Sequence, residues 1–271
     1  MNALERWRDE LAGWAIPEEI LASAPESPWG FPPELFRRRA ERAPADPTMT
    51  TRRALDALAE RGDVLDVGVG GGATSLPLAR RASRITGVDE SADMLEGFLG
   101  SARAAGVEAA GVQGRWPDAS SEVGPADVVV CGHVLYNVGA LEPFVRALDD
   151  HARRRVVIEI TSTHPLAWTA DLWIRFHGLR RPPGPSSDVV FEAIGELGIG
   201  VRRDDETRAP RAGGFERRED AVAVVRRRLC LPAERDDELA DALDERLAEC
   251  DGLWTAGPAE HSLTTLWWDR R

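Results

Sequence analysis

The chain has 271 residues, 43% hydrophobic and 30% charged, a composition that excludes a disordered chain and permits a sizeable core. Its 34 basic residues face 46 acidic ones, and the net charge of −12 repels nucleic-acid backbones and anionic membrane surfaces, so neither is an expected partner. Every basic residue other than histidine is Arg, which excludes lysine Schiff-base chemistry and a P-loop ammonium.

The first segment, "MNALERWRDELAGWAIPEEI", is charged and lacks an uninterrupted apolar core, so neither a signal peptide nor a membrane span is expected. Cys131, Cys230 and Cys250 show no C-x-x-C spacing and read as reduced thiols of a cytoplasmic protein. Leu4, Trp7, Leu11 and Trp14 recur at helical spacing and put one apolar face on a first helix. A Pro- and Gly-rich stretch follows, displaying Trp29, Phe31 and Phe36, and residues 1–47 read as a helical cap. In "TMTTRRALDALAERG" a Thr cap and Gly62 bracket a further amphipathic helix.

After Gly62 short apolar runs alternate with helical stretches: "VLDV", "RITGVD", "VEAAGVQ", "ADVVVCGH" and "RRVVIEIT". That alternation predicts an α/β fold, a doubly wound, mostly parallel sheet with helices on both faces. "GIGVRRDD" and "SLTTLWWD" add two late strands, with a helical insertion at about 207–256 before the last, and the sheet domain spans 48–271. Val222, Val225 and Leu229 form an apolar stripe within the insertion, and "RRPPGPSS" at 180–187 reads as an exposed connection. Trp267 and Trp268, adjacent on the last strand, must point to opposite faces, so at least one is expected to be exposed or to meet another element or subunit.

The segment "VLDVGVGGGATSLPLA", 64–79, lies at the first strand-to-helix turn, where the strand order of such a sheet reverses and a ligand crevice opens. Gly68 and Gly70 permit positive φ and close approach of a ligand to the backbone, and Gly71 and Gly72 are expected to open a helix running to Ala79. Asp66 would look into the same crevice. Asp89 ends the next apolar run, where a carboxylate can take both ribose hydroxyls. Gly68, Gly70 and Ala73 also satisfy the dinucleotide pattern G-x-G-x-x-A, but Asp66 suits a ligand bearing an ammonium better than a pyrophosphate.

"VLDVGVGGG", "ITGVDESADML" and "ADVVVCGHVLYNV" together resemble the nucleotide-binding motifs of class I S-adenosylmethionine-dependent methyltransferases, in the family's order and spacing over 64–138. The resemblance implies a Rossmann-like sheet of seven strands and S-adenosyl-L-methionine as cofactor, released as S-adenosyl-L-homocysteine. It implies that Asp66 with the backbone of Gly68, Gly70 and Gly72 holds the methionyl end, that Asp89 takes the ribose, that Met94 or the neighbouring Ser91 flanks the adenine, and that Glu90 is among the cofactor contacts. Where the family often carries an acid for the adenine amino group, this chain has "VQGRWPD"; Arg115 can only donate, so Gln113, a backbone carbonyl or Asp118 substitutes, or Trp116 stacks on the ring.

A sulfonium methyl is already activated, and a general base is needed only for a hydroxyl or protonated amine acceptor. His133, Tyr136 and Asn137 fall where the family lines the space beside the methyl, and His133 is a candidate contact for cofactor or acceptor. Thr161, Thr163 and His164 follow the fifth strand, making His133, Tyr136 and His164 the candidate catalytic residues. Glu159 inside an apolar run requires a partner or a cavity. No metal site is expected, because the five histidines offer neither H-E-x-x-H nor a close cysteine. The expected reaction is methyl transfer to a small organic molecule; a non-catalytic cofactor-binding protein and an NAD(P)-dependent oxidoreductase are the alternatives.

Overall fold

A computed structural model describes residues 1–29, 33–58, 60–209 and 214–270. Residues 30–32 of the expected cap and 210–213 of the expected insertion lie outside the described residues. The chain opens with helices α1 (Ala3–Ala12), α2 (Glu18–Ser23) and α3 (Pro33–Arg42), then α4 (Met49–Ala57). Asn2 caps α1 reciprocally with Glu5, and Thr48 caps α4 by accepting from the Thr51 N–H, so local side chains satisfy the exposed first-turn donors. Gly62 does not close α4 but opens the first strand, since the helix already ends at Ala57.

Seven strands form the main sheet: β1 (Gly62–Val67), β2 (Ala82–Asp89), β3 (Glu108–Gln113), β4 (Ala126–Gly132), β5 (Ala152–Thr161), β6 (Arg202–Arg208) and β9 (His261–Asp269). Their order is β3-β2-β1-β4-β5-β9-β6, and only β9 runs antiparallel to its neighbours. The expected doubly wound sheet is therefore present, with its order reversing between β1 and β4. Helices α5 (Ala92–Ala104), α6 (Leu141–His151) and α8 (Ser187–Glu196) complete the sheet layers, and α7 (Ala170–His177) packs against the insertion.

One face buries Trp7 of α1, Phe144 and Leu148 of α6 and Val190 and Ile194 of α8; the other buries Ala54 of α4 and Phe98 of α5. Trp268 belongs to the first layer and Trp267 to the second, as strand alternation requires. Neither is exposed. The indole of Trp268 donates to Asp149 and that of Trp267 to Asp204, while Arg53, Arg155 and Arg202 lie over the Trp267 ring.

The insertion is only partly helical. Helices α9 (Arg218–Arg228) and α10 (Asp236–Ala242) are followed by a hairpin, β7 (Leu247–Cys250) and β8 (Leu253–Ala256). Asp251 and Gly252 turn it with φ of 53° and 74°, the two left-handed residues that an Asp-Gly hairpin needs. Val222, Val225 and Leu229 do face inward, against Leu172 and Trp173 of α7. The 180–187 connection is also partly internal: Pro185 and Ser187 are buried, and the Gly184 carbonyl accepts from the Trp14 indole. Among the described residues no helix is long and apolar enough to cross a membrane.

Candidate functional site

The chain leaves β1 through a turn in which Gly68, Gly70 and Gly72 have φ of 72°, 49° and 88°. A Cβ on Gly68 would come within 2.3 Å of Val134 Cγ2, and one on Gly71 within 2.6 Å of the Phe36 carbonyl oxygen. The turn is thus clamped between the end of β4 and helix α3, and only glycine satisfies both its dihedrals and its neighbours. The expected helix to Ala79 is absent. In its place stands a single 3-10 turn, Leu76–Leu78, because Pro77 offers no N–H and three glycines precede it.

Asp66, 1% exposed, sits directly before this turn, and neither carboxylate oxygen makes a well-formed hydrogen bond. Burial raises its pKa to about 7, an effect that the nearby Ser75 opposes and the negative charge of Asp89 adds to. Asp89, half-buried at the tip of β2, accepts from the Gly70 N–H at 2.9 Å and the Ser91 N–H at 3.0 Å. It therefore ties the glycine turn to the start of α5. A carboxylate has about four acceptor positions, so two remain for a ligand's hydroxyls.

Beyond Asp89, the candidate residues separate. Glu90 and Arg115 are exposed and lie 3.6 Å apart as an ion pair, and the Gln113 amide donates to the Glu90 carbonyl at 3.2 Å. These three form a polar rim at the ends of β2 and β3. Met94, half-buried in the first turn of α5, gives its N–H to the Ser91 hydroxyl. Trp116 departs from the expected adenine-stacking position: it is 6% exposed, packs in the main core edge-on to His151, and donates to the Phe144 carbonyl. An indole needs both apolar cover and one acceptor, and the underside of α6 supplies both.

At the carboxyl ends of β4 and β5 the histidine and tyrosine candidates also take different roles. His133, in the left-handed region at φ 60°, has an exposed side chain, and its Nε2 lies 3.0 Å from Glu159 Oε1. Glu159 is 3% exposed, which explains the acid inside an apolar run. Donation from Nε2–H to that carboxylate leaves Nδ1 as the nitrogen able to accept a proton. His261, at the start of β9, lies close enough for the charges of Arg39 and His133 to reinforce the lowering of its pKa by burial. It brings a residue to the site that sequence spacing did not single out.

Tyr136 is buried, gives its hydroxyl to the Thr161 carbonyl at 2.8 Å, and packs against Trp7. Burial drives its pKa further up, so it is not an available base. His164 stacks on Trp14 at 3.8 Å and meets Tyr136 edge-on. Burial, then Arg181, lowers its pKa to about 3, and its Nδ1 already accepts the Leu166 N–H. Trp7, Tyr136, His164 and Trp14 form an aromatic layer joining the sheet's edge to the N-terminal helices, and neither of its candidate bases is free to move a proton.

This geometry agrees with the comparisons. Residues 64–154 match a family model described as a methyltransferase domain, and that segment holds the glycine turn, both aspartates and His133. Over these residues the chain is similar to a methyltransferase domain, and its sheet has the Rossmann-like fold of class I methyltransferases. No curated protein sequence matches it.

Several solved structures share the fold. A cyclopropane-fatty-acyl-phospholipid synthase-like protein from Lactobacillus casei is 15% identical with a TM-score of 0.54, covering 93% of this chain and 98% of its own. A candidate methyltransferase from Bacillus halodurans is 14% identical with a TM-score of 0.52, covering 81% and 98%. The YcgJ protein from Bacillus subtilis is 16% identical with a TM-score of 0.51, covering 85% and 99%.

The residues present fit S-adenosylmethionine. The turn leaves backbone open to a ligand, Asp66 is an orphaned buried acid that an ammonium would stabilise, and Asp89 retains acceptor positions. They fit a dinucleotide poorly: a pyrophosphate needs a helix N-terminus after the turn, and here stands one 3-10 turn beside a buried carboxylate.

Proposed function

We propose that the chain methylates a small organic acceptor held beside the carboxyl ends of β4 and β5, beneath the N-terminal helices. The cofactor supplies a methyl group already activated on a sulfonium. Asp66 and the backbone of Gly68, Gly70 and Gly72 hold its methionyl end, Asp89 its ribose, and the rim of Glu90, Met94, Gln113 and Arg115 borders its adenine. The observation that carries this reading is Asp66, a buried acid without a well-formed hydrogen bond beneath a turn of left-handed glycines.

For an acceptor that must lose a proton, His133 is the base and Glu159 the positioning residue. The 3.0 Å pairing and the exposed imidazole support that assignment, and the burial of Tyr136 and His164 weighs against them. The aromatic layer of Trp7, Tyr136, His164 and Trp14 excludes water from one side of the site.

Isothermal titration with S-adenosylhomocysteine tests the cofactor site. Micromolar binding lost in Gly70→Val is expected, since valine there would adopt φ 49° with Phe36 3.5 Å from its Cβ. Equal binding by both forms would remove the turn from the site. With an acceptor in hand, His133→Ala is expected to slow single-turnover methyl transfer by roughly a hundredfold or more while leaving S-adenosylhomocysteine affinity unchanged.

A further inference from the structure

A second cleft, shallow and open to solvent, lies between the N-terminal helices and the insertion. Trp14, Trp29 and Trp173 supply aromatic walls, and Trp29 is 57% exposed. Among its described lining residues the only charged groups are Arg181 and Arg228; the rest are apolar. Among the described residues no carboxylate lines it, in a chain whose net charge is −12.

Arg181 is the unusual member. Its guanidinium carbon lies 3.9 Å from the centre of the Trp173 ring and 5.8 Å from that of Trp14, and Nη1 donates to the Ala15 carbonyl at 2.9 Å. Its Nε is buried with no hydrogen-bond partner, and no ion pair to Arg181 occurs among the described residues. Elsewhere on the same face Arg246 takes Asp171 through two hydrogen bonds, so the fold does supply acids to neighbouring arginines. Burial pushes the guanidinium of Arg181 down, and Arg228 likewise, with Arg227 adding like charge.

A desolvated guanidinium without a carboxylate is costly unless something anionic arrives. Flat aromatic walls around a few convergent donors are also how proteins hold small planar ligands. Trp14 links the cleft to the transfer site, because its ring stacks on His164 and His164 meets Tyr136.

We propose that this cleft binds an organic anion, a carboxylate carried on a planar apolar body, with the Arg181 guanidinium taking the carboxylate and the tryptophans flanking the ring. Binding itself follows from the cleft alone. That the bound group is the acceptor's recognition handle rests on the methyltransferase reading above.

The test is calorimetric titration of the full chain with 2-naphthoate and with its neutral counterpart 2-naphthamide, each with and without saturating S-adenosylhomocysteine. The acid is expected to bind about tenfold tighter than the amide, as a charge-assisted contact gives. Arg181→Gln is expected to reduce that preference below twofold without changing S-adenosylhomocysteine affinity, and Arg181→Lys to retain part of it. Equal affinity for acid and amide, or an undiminished preference in Arg181→Gln, would overturn the proposal.

Should Arg181→Gln not fold, indole N–H resonances of the unmodified chain decide. Those of Trp14, Trp29 and Trp173 must shift with naphthoate; shifts confined to other tryptophans would overturn the cleft. Naphthoate binding without S-adenosylhomocysteine binding keeps the cleft and removes the cofactor reading, and the reverse result removes the cleft alone.

Discussion

The carboxyl ends of β1 and β2 and those of β4 and β5 lie along one edge of one sheet, yet they are built in opposite ways. At β1 and β2 the polar groups come from a short stretch of chain: Asp66, the glycine turn, and Asp89 accepting from Gly70 and Ser91. At β4 and β5 they are assembled from distant segments, His133 with Glu159, Tyr136 with Thr161 and Trp7, His164 with Trp14. The first region leaves a buried acid poorly hydrogen-bonded and the second ties most of its polar groups down. Under the proposed function the local device serves the cofactor and the assembled one the acceptor.

Proton linkage sharpens this contrast most. Asp66, raised from 3.8 to about 7, stays protonated in the fold where the unfolded chain is ionised, so its contribution is greatest below pH 3.8 and is lost as pH rises towards 7. His164, lowered from 6.5 to about 3, stays neutral in the fold where the unfolded chain takes a proton, so its contribution is present above pH 6.5 and lost as pH falls towards 3. Each is worth on the order of 4 kcal/mol at the far end of its window, and across the middle they oppose one another. Asp66→Asn is expected to leave stability rising with pH between 4 and 6.5, and His164→Gln to leave it falling. Urea midpoints at a series of pH values would show this, and parallel profiles for the two variants would break the contrast.

Gly68→Val comes next. Forcing a branched residue to φ 72° against Val134 should cost about 3 kcal/mol of stability, a loss read from chemical unfolding. Asp89→Ala is expected to weaken S-adenosylhomocysteine binding by about 1–3 kcal/mol, the scale of hydrogen bonds to a charged group; unchanged affinity by calorimetry would take Asp89 out of the site. Smallest is Arg115→Ala. Its exposed pairing with Glu90 contributes little, and stability should move by less than about 0.5 kcal/mol in thermal unfolding.

The sheet and the glycine turn were legible because their signals are local. Strand periodicity marks each run, the glycines mark the turn, and Asp89 falls at a strand tip that the pattern itself defines. The insertion's hairpin was equally local, written in Asp251-Gly252, but the flanking charged residues read as helix. Trp116 shows the opposite case. Its position in the chain sits beside the polar rim of Gln113 and Arg115, and only the underside of α6, bearing the Phe144 carbonyl, draws the indole into the core.

By itself, then, the sequence determined which segments become the strands of the main sheet, where the glycine turn falls and which two acids stand beside it, since φ preference, two-residue alternation and short spacing are properties of neighbouring residues. Tertiary structure alone decided that His133 rather than Tyr136 or His164 keeps an exposed ring, that Glu159 is its partner, and that Arg181 lies acid-free among tryptophans. Burial and charge pairing depend on what distant segments bring into contact, and a proton's affinity for a side chain is set by those contacts rather than by the side chain's place in the chain.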